Sequence, residues 1–91
     1  MDIKLENNDL RIMVRSKGAE LRLLQEKKDG TDYLWNGDPS WWKYCSPILF
    51  SIVGKVKNGK YKVYCNVYEL PQYGLGRISE FELANKTTDT V

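Results

Sequence analysis

The chain has no histidine, only two cysteines and only three prolines in 91 residues. Without histidine it lacks the one side chain whose ordinary pKa suits proton transfer near neutral pH, and also the commonest nitrogen ligand for zinc. Cys45 and Cys65 are too far apart for a CxxC pair, so no metal site and no cofactor are expected. Two buried free thiols are expected rather than a disulfide. No apolar run is long enough to span a bilayer, so no membrane partner is expected. The first eight residues alternate polar and apolar types instead of placing a basic cluster before an apolar core, which is unlike a signal peptide and makes the cytoplasm the expected location. Asn85-Lys86-Thr87 is a glycosylation-type triplet, discounted on the same ground. A net charge of +2 does not by itself point to nucleic acid or to an acidic partner. Glycines are present, but no GxGxxG or P-loop pattern organises them.

What is present is an ordinary globular balance, 42% hydrophobic and 29% charged. A chain this short makes at most one domain and buries only about 60 to 65% of its unfolded surface, so its core margin is thin. Residues 3–6 and 10–14 alternate at period two across Asn7-Asn8-Asp9, which predicts an opening hairpin. Residues 19–26 have helix-forming composition, but Leu21 and Leu23 alternate with polar neighbours, and Asp29-Gly30 is a hairpin signal; the reading is strand. Residues 31–35 are then expected to return as its partner. Residues 40–47 read as a loop with a short helical turn, and residues 48–53 as a buried strand. Asn58-Gly59 offers a further hairpin turn. Residues 60–65 and 67–70 read as strands around a turn near Asn66, and residues 77–83 as a last strand. About eight short strands and no long helix predict an all-β chain, with a β domain over residues 1–84 and a polar tail over 85–91.

Three ordered motifs carry a resemblance. Tyr33-Leu34-Trp35-Asn36-Gly37-Asp38-Pro39 with Trp42 leads into Ser46-Pro47-Ile48-Leu49-Phe50-Ser51-Ile52-Val53-Gly54-Lys55. Downstream, Leu70-Pro71-Gln72-Tyr73-Gly74-Leu75-Gly76-Arg77 precedes Ser79-Glu80-Phe81-Glu82. Upstream stands Gly18-Ala19-Glu20-Leu21. In this order they resemble the galactose mutarotase-like, aldose 1-epimerase family, over roughly residues 3–83. The resemblance implies an antiparallel sheet or partial sandwich corresponding to the opening strands of a much longer β-supersandwich. It also implies a role in carbohydrate metabolism. The family chemistry uses a carboxylate base at the anomeric hydroxyl and a histidine acid at the ring oxygen. Here Tyr73 stands where the family has that histidine, Lys55 where it has arginine, and Ser51 where it has proline; Arg77 keeps its type. The base and a second histidine come from regions beyond the matched one.

Tyr73 is therefore the candidate at the catalytic position, and Arg77, Lys55 and Gln72 are the candidates for substrate binding. Arg77 offers a planar fork suited to a sugar hydroxyl or a phosphate, against the alternative of a surface charge. Trp35, Trp41 and Trp42 are read as covering apolar surface more readily than as stacking on a sugar ring. The resulting expectation is a truncated epimerase-like chain, inactive alone, binding an aldose or hexose phosphate weakly and completed by self-association or a partner chain. The competing reading is a small basic module for single-stranded nucleic acid. It rests on Lys55, Lys57, Lys60 and Lys62 interleaved with Tyr61, Tyr64 and Tyr68.

Overall fold

The computed structural model describes all residues, 1–91. Strands β1 (Asp2–Glu6), β2 (Leu10–Arg15) and β3 (Glu20–Glu26) form an antiparallel meander in that order. The first turn closes because Asn7 Oδ1 accepts the backbone N–H groups of Asp9 (2.9 Å) and Leu10 (2.8 Å). Such an Asx-type turn satisfies donors that no neighbouring strand reaches. Period-two alternation then turns Ile3 and Leu5 of β1 inward while Asp2, Lys4 and Glu6 face solvent. Between β2 and β3 the register shifts: Met13 pairs with Leu23 but Val14 with Leu21. Arg22 is thus the extra residue of a β-bulge, a device that re-aims a side chain out of the regular alternation.

The second sheet is a hairpin of β4 (Lys60–Val63) and β5 (Asn66–Glu69), joined through Tyr64 and Cys65. Tyr61 and Tyr68 are cross-strand partners whose rings stack at 5.3 Å, a pairing that stabilises an isolated hairpin. Two short 3-10 turns, Lys57–Gly59 and Gly76–Ile78, complete the regular structure.

The all-β class and the antiparallel pairing are as expected, and β1 to β3 fall where the alternation put them. Other elements differ. Residues 31–35 do not form a full return strand. Glu26 N–H binds Thr31 O at 2.9 Å and Tyr33 N–H binds Leu24 O at 2.8 Å, but Asp32 Oδ1 then takes the Leu34 N–H and bends the backbone away. The helical turn expected within 40–47 is present as a single turn, Trp41 and Trp42 N–H both meeting Asp38 O. Residues 48–53 are neither a strand nor buried: Phe50 is 66% and Val53 74% exposed. Their apolar character calls for a packing neighbour, and no other part of this chain covers them. Asn58-Gly59 lies in a 3-10 turn, because residues 51–56 supply no strand for a hairpin. The second hairpin turns at residues 64–65 rather than at Asn66, which opens β5. Residues 77–83 begin in the Gly76–Ile78 turn and touch the first sheet through one bridge, Lys17 to Glu80. Cys65 is exposed and Cys45 half-buried, both as free thiols. Five strands form instead of eight.

The consequence is a thin molecule. Its dimensions are 56 × 32 × 17 Å and its radius of gyration 16.4 Å, against roughly 12 Å for a compact chain of this length. Its accessible surface of 6949 Å² compares with roughly 5,500 Å² for a compact monomer of its mass. The buried apolar residues are Ile3, Leu5 and Leu70, and no large side chain is completely enclosed.

With so small a core, close backbone contacts fix the irregular segments. Gly74, at φ 77°, lies against the Phe50 carbonyl and the Ser51 N–H so closely that a Cβ would overlap both. Gly30 has a similar φ of 76° with open space around it. Gly30→Ala is expected to cost about 1 kcal/mol, the left-handed backbone penalty alone. Gly74→Ala should cost clearly more, because the 50–54 and 71–76 segments must separate. Urea midpoints of the two variants check this; equal losses would count against the backbone contact.

Candidate functional site

The site grows from the start of β3. Glu20 is only 4% exposed, and its carboxylate accepts the backbone N–H groups of Cys45 and Ser46 and an N–H from Arg22 (3.2 Å). Arg22, re-aimed by the bulge, also donates to Lys43 O at 2.9 Å, and Ser46 Oγ donates to Leu21 O at 2.8 Å. These bonds lay the 43–46 loop across the sheet and hold Tyr44 beside it. Gly37, at φ 74°, makes room: a Cβ there would stand 2.5 Å from Arg22 Nη2.

Between this loop and the Gly76–Ile78 turn lies an open cleft of about 290 Å³, lined by Arg15, Lys17, Glu20, Arg22, Lys43, Tyr44 and Arg77 among others. The Arg77 guanidinium sits over two aromatic rings, 4.7 Å from the Tyr44 centroid and 5.1 Å from that of Tyr73. Cation–π contact on a planar guanidinium restricts its rotation as well as stabilising its charge. Arg77 Nε is buried with no acceptor in the protein.

The sequence-derived candidates fall as follows. Tyr73 and Arg77 are brought together through ring and guanidinium. Tyr73 has a φ of 66°, and its N–H binds Gly54 O at 2.7 Å, which sets Lys55 one residue past that contact. Lys55 and Gln72 are both exposed and make no ion pair or side-chain hydrogen bond. The tryptophans are also outside the cleft, with Trp35 Nε1 bound to Trp42 O at 2.7 Å. Arg15, Lys17, Arg22, Lys43 and Tyr44 were not singled out by sequence. The available signal was that the cations Arg15, Lys17 and Arg22 cluster at one β2–β3 end, around the Gly-Ala-Glu-Leu motif. No group of three or more Cys, Asp or Glu side chains is arranged to hold a metal ion. No helix is long and apolar enough to cross a membrane.

Comparison with known proteins defines the class first. A galactose mutarotase-like protein from Lactobacillus casei superposes on 97% of this chain with a TM-score of 0.89 and 32% identity. A galactose mutarotase related enzyme from Lactobacillus acidophilus does so with a TM-score of 0.92 and 33% identity. The sequence matches the aldose 1-epimerase family over residues 1–91, and the chain belongs to that family. Protein LacX of Lactococcus lactis subsp. lactis, in its plasmid and chromosomal forms, is 40% identical over 58 residues. Those 58 residues are 64% of this chain and 19% of LacX; the chain also covers 30% and 29% of the two solved structures. It is thus related to carbohydrate metabolism through its family. The comparisons give the nucleic-acid reading no support, and Tyr61 and Tyr68 already occupy one another's faces.

Burial pushes the Cys45 thiol above its ordinary range, the nearby Arg22 charge offsetting part of that effect. Its Sγ also donates to Trp35 O. At mildly alkaline pH a thiol reagent is therefore expected to modify exposed Cys65 first and Cys45 much more slowly. Glu20→Ala should abolish that difference by releasing the loop, and should lower stability by about 3 kcal/mol, since it strands the half-buried Arg22 charge. Timed labelling with mass detection and urea unfolding read the two effects. A slow Cys45 in Glu20→Ala would show that the loop is held by something else.

Proposed function

We propose that the chain is an epimerase-type carbohydrate-binding unit of cytoplasmic sugar metabolism that holds an aldose weakly and does not catalyse mutarotation alone. The observation that carries this reading is Tyr73, set beside Arg77 in a turn that resembles the family's Gln-His-Gly segment, in a chain with no histidine. Mutarotation needs an acid at the ring oxygen and a base at the anomeric hydroxyl. Positioned proton transfer contributes about 10² to 10⁴-fold per group. A phenol can donate a hydrogen bond there, and Arg77 and Lys55 can orient hydroxyl groups, but the chain has no histidine to move a proton near neutral pH. Weak binding follows from the open geometry: a shallow cleft covers little of a ligand and offers few converging polar groups.

Polarimetry of freshly dissolved α-glucose should show no rate above buffer with the purified chain. A rate proportional to protein concentration and lost in Tyr73→Phe would overturn the proposal. Titration with glucose or galactose, followed by tryptophan fluorescence, should give a response that does not saturate at micromolar sugar.

The second element of the proposal is a covering partner, either another copy or a separate β-rich chain. Its support is the exposed surface: Ile48, Leu49, Phe50, Val53 and Phe81 are all at least 40% exposed. The excess over a compact monomer is roughly 1,400 Å², more than one side of a standard interface, about 800 Å². Light scattering at micromolar concentration should report a mass above the monomer, or a complex when cell extract is supplied. A folded, strictly monomeric species under both conditions would refute it.

A further inference from the structure

Two Asn-Gly pairs stand in the chain, Asn36-Gly37 and Asn58-Gly59. Such a pair is chemically labile, because the glycine nitrogen is a nucleophile held beside the side-chain amide with no Cβ in its path. Reaction needs a free asparagine side chain and a peptide that can rotate, and the two pairs differ in both respects. Asn36 Oδ1 accepts the Asp38 N–H at 3.0 Å, which keeps that side chain in an Asx turn. Gly37 is buried, with the Arg22 guanidinium packed where a Cβ would stand. Rotating that peptide would disturb the Arg22 to Glu20 clamp. The related Asp29-Gly30 pair presents an ionised carboxylate, a poor electrophile, and its Oδ1 is taken by the Thr31 N–H at 3.0 Å.

Asn58 is exposed, and no hydrogen bond holds its side chain. It sits at φ 57° and ψ 17°, in the left-handed region, within the Lys57–Gly59 turn. Gly59 has open surroundings: the nearest atom to a Cβ placed there would be Leu70 O, at 3.9 Å. One backbone bond, from Gly59 N–H to Val56 O at 3.1 Å, restrains the attacking nitrogen. A single bond in an exposed 3-10 turn opens readily. Lys57 and Lys60, both exposed, flank the pair and favour the negative charge that develops on that nitrogen and that remains on the product.

We propose that Asn58 is a site of spontaneous deamidation whose isoaspartate product loosens the turn carrying Tyr73. The Gly59 nitrogen attacks Asn58 Cγ; the N–Cγ bond forms as the Cγ–Nδ2 bond breaks, and ammonia leaves with the Gly59 amide proton. Water then opens the cyclic imide. Cleavage at the side-chain carbonyl gives aspartate at position 58, and cleavage at the main-chain carbonyl gives isoaspartate, whose backbone is one methylene longer. In both cases one water is consumed, one ammonia is released and nothing is oxidised or reduced. The added length falls at a junction. On one side of it Gly59 O accepts the N–H of buried Leu70 at 2.8 Å, and on the other Gly54 O accepts that of Tyr73 at 2.7 Å. A longer backbone between these two acceptors cannot keep both bonds in register, whereas the aspartate form can. The proposal holds whether or not the chain takes a sugar.

The test is incubation of the full chain at mildly alkaline pH, followed by peptide mass mapping that separates the asparagine, aspartate and isoaspartate forms, with hydrogen exchange on the fractionated products. Conversion at Asn58 is expected to outrun that at Asn36 about fivefold, the factor that one ordinary hydrogen bond represents. It should accelerate as pH rises, because attack requires loss of the amide proton. Asn58→Gln, which would have to close a larger ring, and Gly59→Ala should each slow it severalfold. The Leu70 and Tyr73 amides should exchange faster in the isoaspartate fraction than in the parent chain, and at the parent rate in Asn58→Asp, which carries the charge without the added length. Conversion at Asn36 that equals or exceeds that at Asn58, no conversion at Asn58, or unchanged Leu70 and Tyr73 protection in the isoaspartate form overturns the inference.

Discussion

The structure depends most on one buried carboxylate. Glu20 accepts two backbone N–H groups from the 45–46 loop and one N–H from Arg22, and so satisfies donors from a segment that has no sheet of its own. Buried carboxylates are costly unless fully hydrogen-bonded, and this one is arranged as a backbone clamp rather than as a reactive group. Once the loop is down, Tyr44 is in place under Arg77, Lys43 faces the cleft, and Arg22 has both of its acceptors. The β-bulge is part of the same device, because an unbulged β3 would carry the Arg22 side chain to a different position relative to Glu20 and Gly37.

The rest of the molecule follows from having too little chain to close a core. A three-stranded meander and a separate hairpin each present an apolar side, yet each is one layer, and stable domains pack at least two. Backbone contacts replace side-chain packing in the connecting segments: Tyr73 to Gly54, Gly76 to Phe50, Gly18 to Ser79. Hydrogen bonds of this kind contribute roughly 1 kcal/mol net each and are directional, so they fix geometry better than they supply stability. This is why residues 48–53 hold a definite path while remaining exposed. The resulting local shape superposes on each solved relative over 97% of this chain.

Legibility in the sequence tracked how local the cause was. The first hairpin and β3 were readable because alternation and the Asn7 turn act within a few residues. The strand preference of residues 19–26 over helix was decided by Leu21 and Leu23 against polar neighbours. Residues 48–53 were misread because an apolar run specifies that something will cover it, not that the cover is in the same chain. Residues 77–83 failed for a similar reason, since only one bridge to Lys17 awaits them. In the site, the Tyr73 and Arg77 pairing was visible through motif order, five positions spanning a turn. The cationic cleft was not, because it joins β2, β3, the 43–46 loop and a 3-10 turn, and no spacing rule connects Arg15 with Arg77.

That difference bears on what the site can do. Proton shuttling near neutral pH is ordinarily the work of histidine, and the chain has none. Electrostatic recognition needs only fixed charge and geometry, both of which the clamp supplies. On the proposed reading the segment Leu70 to Arg77, which resembles the family's turn, serves to orient a ligand, with tyrosine at its centre. The ring of Tyr73 lies 5.1 Å from the Arg77 guanidinium and holds it by its face. A phenol ring attracts that cation through its face. Tyr73 and Arg77 are in this sense mutually consistent neighbours, the ring fixing the guanidinium that stands four residues further along the same turn.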